Sequence, residues 1–157
     1  MIITIILIAI SILFIMAWLS EASSVLPADG KILAPCPNKP NCVCSEYNHD
    51  IEHYIEPLSF SLEQLPKTID SVKISVESLG GKMKTASSTY LAATFSSSFF
   101  GFIDDVEFRI DEKNQLIHIR SAARSGYSDF GINKKRVNTL KKILRQQLEK
   151  TASRSST

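Results

Sequence analysis

Residues 99–136 read FFGFIDDVEFRIDEKNQLIHIRSAARSGYSDFGINKKR. From Asp105 to Asp111 apolar and charged residues alternate. Val106, Phe108 and Ile110 fall on one face, and Asp105, Glu107, Arg109 and Asp111 on the other. Ile117, Ile119 and Ser121 alternate with His118, Arg120 and Ala122 in the next run. Successive side chains leave a strand on opposite faces, so this period of two predicts two half-buried strands. Glu112-Lys113-Asn114-Gln115 supplies the polar turn of a hairpin. A four-residue loop sets Glu107 opposite Arg120 and Arg109 opposite His118. On the polar face the first of these is a cross-strand ion pair, typically worth about 0.2–1 kcal/mol. Asp104 and Asp105, being adjacent, diverge to opposite faces unless a bend near Gly101 brings them together.

Downstream, Gly126 and Gly131 bracket Tyr127-Ser128-Asp129-Phe130, a turn-rich connection. A Ser128/His118/Asp129 triad finds no nucleophile-elbow sequence around Ser128. Val137, Leu140, Ile143, Leu144 and Leu148 then recur at spacings of three and four, which predicts an amphipathic helix. Its first turn is anomalous. Lys134, Lys135 and Arg136 place three cations where the helix dipole favours anions. Asn133 offers a cap but does not answer the charge. Two readings stand. The cations pair internally with Asp104, Asp105 and Asp129, or they join Arg120 and Arg124 in an anion site for a phosphate, carboxylate or lipid headgroup. In the second, Arg120, Arg124, Lys134 and Arg136 are the contacts, and Asp104, Asp105, Glu107 and Asp129 orient them.

The 157 residues allow one domain, and the formal net charge of +2 hides an asymmetry. Residues 134–157 hold eight basic groups and one acidic; the preceding residues hold ten and fifteen. A basic C-terminal arm suits acidic membrane surfaces or partners, or is a solvated helix face. No recognised nucleic-acid motif accompanies it, so no nucleic-acid partner is expected.

Ile2–Leu19 is an apolar run broken only by Thr4 and Ser11, at the lower length limit for a membrane-spanning helix, with Trp18 placed for an interface. A signal peptide is the rival reading, since Ser20-Glu21-Ala22 resembles a cleavage site. The missing N-terminal Lys or Arg argues for an uncleaved anchor. Residues 1–22 are thus anchor or signal, 23–33 a linker, 34–150 the domain, and 151–157 a disordered tail.

Ala34 to Ser45 contains three prolines, Pro35, Pro37 and Pro40, and reads as a stiff loop outside regular structure. In an oxidising compartment Cys36 and Cys42 close a small disulfide loop and leave Cys44 free. Cys36, Cys42 and Cys44 with His49 and His53 are alternatively metal ligands, although a single residue between Cys42 and Cys44 is not ordinary zinc-finger spacing. Reduced thiols are the third option. Both histidines otherwise read as surface residues, and no metal or cofactor is assigned. Residues 55–60 predict a short strand. Ser61-Leu62-Glu63-Gln64 has the capping-box pattern, yet Pro66 would interrupt a helix begun there. The alternative is a helix that starts near Pro66; Ile69, Val72, Val76 and Leu79 mark its buried side, and Gly80-Gly81 ends it. Residues 82–87 and 90–97 predict two further strands joined by a tight turn.

The runs GFIDDVEFRID and IHIRSAARSGYSDFGINKKRV, with CPNKPNCVCS upstream, resemble the DUF1499 family. Its members are domains of unknown function in bacterial envelope proteins and plastid-containing organisms. The resemblance covers roughly Gly30 to Leu144. Cys44 departs from it, because serine usually stands there. The resemblance carries no established activity. With the cysteines, it implies export of the domain to the periplasmic face of a single-pass membrane protein. The expected fold is α+β. An antiparallel sheet of three to four strands carries two helices, in the order helix–strand–strand–strand–helix, behind an N-terminal transmembrane helix. The expected function is a non-enzymatic binding or accessory module for an anionic ligand, lipid headgroup or protein partner. The alternative is an enzyme or thiol-redox or metal module built on the cysteine loop.

Overall fold

The computed structural model describes residues 2–22, 32–97 and 101–155. The hairpin forms as the alternation predicts. Strand β5 (Ile103–Asp111) pairs antiparallel with β6 (Leu116–Ala123), placing Glu107 opposite Arg120 and Arg109 opposite His118. Gln115 closes the turn at φ 56°. Around this hairpin the sheet holds six strands, more than the three to four expected. Its path runs β1 (Cys42–Cys44), β6, β5, β4 (Tyr90–Ser96), β3 (Lys82–Ala86), with β2 (Leu58–Ser59) also pairing with β6. The additional strands are short pieces on the β6 edge. Val43 lies across from Ser121, so the cysteine segment, expected to stay outside regular structure, contributes a strand. Three residues, all of them buried, are too few to stand out against a proline-rich background.

Helix α2 (Leu65–Ser78) carries its proline in the first turn, where no N–H is needed. Val72 and Val76 are fully buried, and Ile69 and Leu79 pack against the same core, as the spacing predicts. Gly80, at φ 79°, ends the element, and Gly81 follows it where a Cβ would stand 2.6 Å from the Phe95 ring and from Val76. Helix α3 (Ile132–Ser155) buries Val137, Leu140, Leu144 and Leu148 against the sheet. It continues to Ser155, into the stretch read as a disordered tail. Four strands, not three, lie between α2 and α3.

Both faces of the sheet are covered. Val106, Phe108, Ile110, Ile117 and Ile119 meet α2 and α3 on one side. On the other, Leu33, Cys44, Tyr90 and Ala92 form a second buried cluster against which Cys36 and Tyr47 pack. Leu33, assigned to the linker, therefore belongs to the domain; linker residues 23–31 lie outside the described residues. Helix α1 (Ile2–Ala22) has 21 residues. Among the described residues no helix is long and apolar enough to cross a membrane. The α1 side chains at 2, 13, 14 and 16–22 fall outside that description.

Candidate functional site

Strand parity sends Asp104 to one face of the sheet and Asp105, Glu107 and Arg120 to the other; Arg124 and Asp129 lie in the connection after β6, and Lys134 and Arg136 on α3. Asp104 points to the helices. Its Oδ2 accepts from Arg136 Nη2 at 2.6 Å, while Arg136 Nη1 donates to Asn133 Oδ1 at 2.6 Å and lies 3.3 Å from Ser121 Oγ. The Ser121 hydroxyl donates to the same Asn133 oxygen, and the Arg136 guanidinium stands 4.9 Å over the Phe95 ring. Burial pushes the Asp104 carboxyl above its ordinary range despite the pull of Arg136, with Asp129 and Asp105 adding to the rise.

The cap at this helix start is Asp129, not Asn133. Its carboxylate accepts the Asn133 N–H at 2.7 Å and the Gly131 N–H at 3.0 Å. Asn133 is buried, and its amide instead donates to Asp129 and to the Asn41 carbonyl. The first turn is thus answered by an anion three residues before it, which partly offsets the three cations.

Asp105 points to the opposite face and receives a two-pronged grip from Arg124, with Nε and Nη2 each at 2.8 Å. Next along the strand, Glu107 is fully buried and accepts from Arg120 Nη1 at 3.0 Å and from the Tyr90 hydroxyl at 2.7 Å. Beyond it, Arg109 Nε and Nη2 donate to Glu46 at 2.6 and 2.9 Å, and His118 Nδ1 stands 3.4 Å from the same carboxylate. Desolvation dominates here. It raises the Glu107 carboxyl against the opposing effects of Tyr90 and Arg120, and burial also raises the Tyr90 hydroxyl. The polar face expected to carry an exposed-type ion pair is therefore an internal charge ladder. Segment 32–55 contributes to its cover through Glu46 and through Ser45, whose Oγ accepts the Ile119 N–H at 2.8 Å. Bends near Gly101 do not reunite Asp104 with Asp105. His118 contacts Ser45 and Glu46 at the ladder's far end, whereas Asp129 caps α3, so the triad reading has no geometry.

The cysteines resolve as the first of the three readings. Cys36 and Cys42 form a disulfide, and Cys44 is a buried free thiol. Burial pushes that thiol up to about 11, which leaves it without nucleophilic thiolate at neutral pH. His53, read as a surface residue, is buried. Its Nδ1 meets the Asp50 carboxylate at 2.9 Å and its Nε2 the Lys39 carbonyl at 3.1 Å. Among the described residues no group of three metal-ligating side chains converges.

Of the predicted contacts, Arg120, Arg124 and Arg136 are bound to carboxylates of the domain itself. Lys134 has no ion pair among the described residues. With Lys135, Asn138, Thr139, Lys142 and Gly131 it lines an open hollow of about 590 Å³ along α3. Asn138 and Lys142 were not singled out, and Lys135 only as one of the three cations at the helix start, although Lys134, Asn138 and Lys142 recur every fourth residue and so share one helix face. A smaller cleft of about 100 Å³ lies beside it, between Glu52 and His53 on one side and Asp129, Gly131 and Lys134 on the other.

A two-helix antiparallel α+β domain, stapled by one disulfide and built on a buried charge ladder, defines the class. Residues 32–144 match the family described as "Protein of unknown function (DUF1499)", and the chain belongs to that family. No curated protein and no solved structure matches the chain.

Proposed function

We propose that this protein is a membrane-anchored envelope domain that binds an anionic group, a phosphate or carboxylate presented by a lipid headgroup or a partner protein. The binding surface is the start of α3. The observation that carries the reading is the division of its cations. Every predicted arginine is matched by a carboxylate, whereas Lys134, Lys135 and Lys142 line an open hollow without ion pairs among the described residues. Unneutralised lysines on one face raise the local concentration of anions. A binding role rather than a catalytic one is supported by the burial and pairing of the titratable groups in the ladder. The anchor is supported by the apolar sequence of α1, whose Ile3, Ile5, Leu7 and Ile8 are all exposed in the monomer. A helix apolar on every side is stable only within apolar surroundings.

The test is a titration of the full chain in neutral detergent with inorganic pyrophosphate, followed by amide NMR. Shifts concentrated at residues 131–142 are expected. Affinity should fall at least about tenfold in Lys134→Glu/Lys135→Glu, a loss of about 1.4 kcal/mol. No shift in the wild-type chain, or equal affinity in the folded variant, removes the reading.

A further inference from the structure

Beside the lysines, the chain exposes large apolar side chains that its own fold does not use. Phe130 is 95% exposed, Tyr127 70% and Ile132 about half. Ile51, on the facing loop, is 89% exposed. The two loops flank the same small cleft, since Glu52 and His53 line one side of it and Asp129 and Gly131 the other. Ile51 on one loop and Tyr127, Phe130 and Ile132 on the other thus adjoin residues that line one cleft, at the end of the domain where α3 begins.

The cluster is held in place. Phe130 sits at φ 54°, a left-handed conformation that a bulky aromatic adopts at a cost. Asp129 secures it by accepting N–H groups from Gly131 and Asn133, and Ser128 Oγ accepts the Phe130 N–H at 3.2 Å. Opposite, His53 fastens its loop between Asp50 and the Lys39 carbonyl. Rigid backbone thus presents an aromatic ring to solvent, directly before a row of lysines without ion pairs.

We infer that the Ile51/Tyr127/Phe130/Ile132 cluster, with Lys134 and Lys135, docks onto an anionic lipid bilayer, the rings entering the interfacial layer and the lysines meeting the headgroups. This deepens, and rests on, the anion-binding reading of the α3 start. A bilayer is the occupant favoured by two observations. Protruding apolar side chains followed in the chain by Lys134 and Lys135 match the pattern of interfacial insertion, in which apolar burial and attraction to anionic lipid act together, while the nearby Asp50 and Asp129 carboxylates are engaged by His53 and by the N–H groups at the α3 start. The same chain also carries an apolar helix, α1, that itself requires apolar surroundings. Aromatic rings belong at the headgroup level for the same reason that they collect at membrane interfaces.

The experiment uses the full chain in vesicles, with Trp18→Phe to clear the background and Phe130→Trp as the probe. Position 130 is exposed, so the substitution leaves the core untouched. Ser88→Trp, in the β3–β4 turn at the opposite end of the sheet, is the control. Quenching by nitroxide-labelled lipid is compared between vesicles of phosphatidylcholine alone and vesicles containing phosphatidylglycerol. Expected is a several-fold stronger quenching of Trp at 130 than at 88 in the anionic vesicles. It should be lost with Lys134→Glu/Lys135→Glu and weakened by salt. Equal, water-like emission at both positions overturns the inference. If pyrophosphate still shifts residues 131–142 in that case, the anion reading survives and the partner is a protein or a soluble anion. If neither response appears, both readings fall. Quenching at 130 that ignores lipid charge and lysine reversal also overturns the inference, by leaving the lysines no part in it.

Discussion

Replacing both Cys36 and Cys42 by serine tests how the cysteine loop supports the proposed surface. The bridge closes a sequence separation of 6 residues. In the chain-entropy treatment a loop of that length limits the unfolded chain by about 2.2 kcal/mol. For a domain of about 120 residues this converts to a fall in Tm of roughly 9 °C. The loss has a local address. Asn41, inside the closed loop, accepts at its carbonyl from the Ala123 N–H at 3.0 Å and from Asn133 Nδ2 at 3.1 Å. Its own side-chain amide donates to the Gly126 carbonyl at 2.9 Å. The bridge therefore pins the end of β6, the connection to α3 and a buried residue of its first turn. Cys44 offers no replacement partner, since its thiol is buried and remains protonated. The assay is thermal unfolding of the full chain in detergent, followed by circular dichroism, with amide exchange measured at 25 °C. The double variant should melt about 9 °C lower. Exchange at Ala123 and Asn133 should accelerate more than at the centre of β5. A variant melting within about 2 °C of the parent, with exchange at Ala123 unchanged, would refute the reasoning, because the loop would then be held by its other contacts alone.

Other expectations follow from the buried charges. Arg120→Met leaves Glu107 buried without its cation and should cost about 3 kcal/mol, most of it recovered when Glu107→Gln is added, as chemical denaturation of the cycle would show. The pH dependence of Glu107 has a defined sign. Its folded-state pKa is raised by burial, so its contribution is present below the ordinary carboxylate range and lost as pH rises through the folded value. The stability of the parent minus that of Glu107→Gln should therefore fall as pH rises above the ordinary carboxylate range; a difference that grows would mean that Arg120, not burial, governs the site. Asp129→Ala removes the acceptor of two N–H groups at the start of α3 and should cost about 1–2 kcal/mol by the same denaturation assay, with faster exchange at Gly131 and Asn133.

The hairpin and both helices were legible because each has a long, regular signal. Seven alternating residues fix β5, and the stripe from Val137 to Leu148 fixes the buried side of α3. The β6 edge was not legible. Cys42–Cys44 and Leu58–Ser59 are shorter than a pattern needs, and their pairing with β6 is a tertiary choice. The same limit explains the charge ladder. Alternation shows which residues share a face, but not whether that face meets water. Glu107 and Arg120 were placed opposite each other correctly, yet their burial depends on what packs over that face, including Leu33, Cys44 and Tyr47 from a stretch with no periodicity of its own.

That burial decides which cations remain available for function. A buried guanidinium is stable only while its carboxylate and hydrogen bonds are in place, so Arg120, Arg124 and Arg136 cannot serve an external anion without breaking pairs that hold the sheet. The lysines have no such obligation among the described residues, and a flexible ammonium at the surface costs little to redirect. Sequence reasoning grouped Arg120, Arg124 and Arg136 with Lys134 as contacts, all four lying in the densest charged stretch. Density of charge instead marked the interior: where acids and bases alternate on facing strands they neutralise one another. The informative imbalance lies further on, where the basic groups of α3 outnumber their partners beside a loop that holds Phe130 in water.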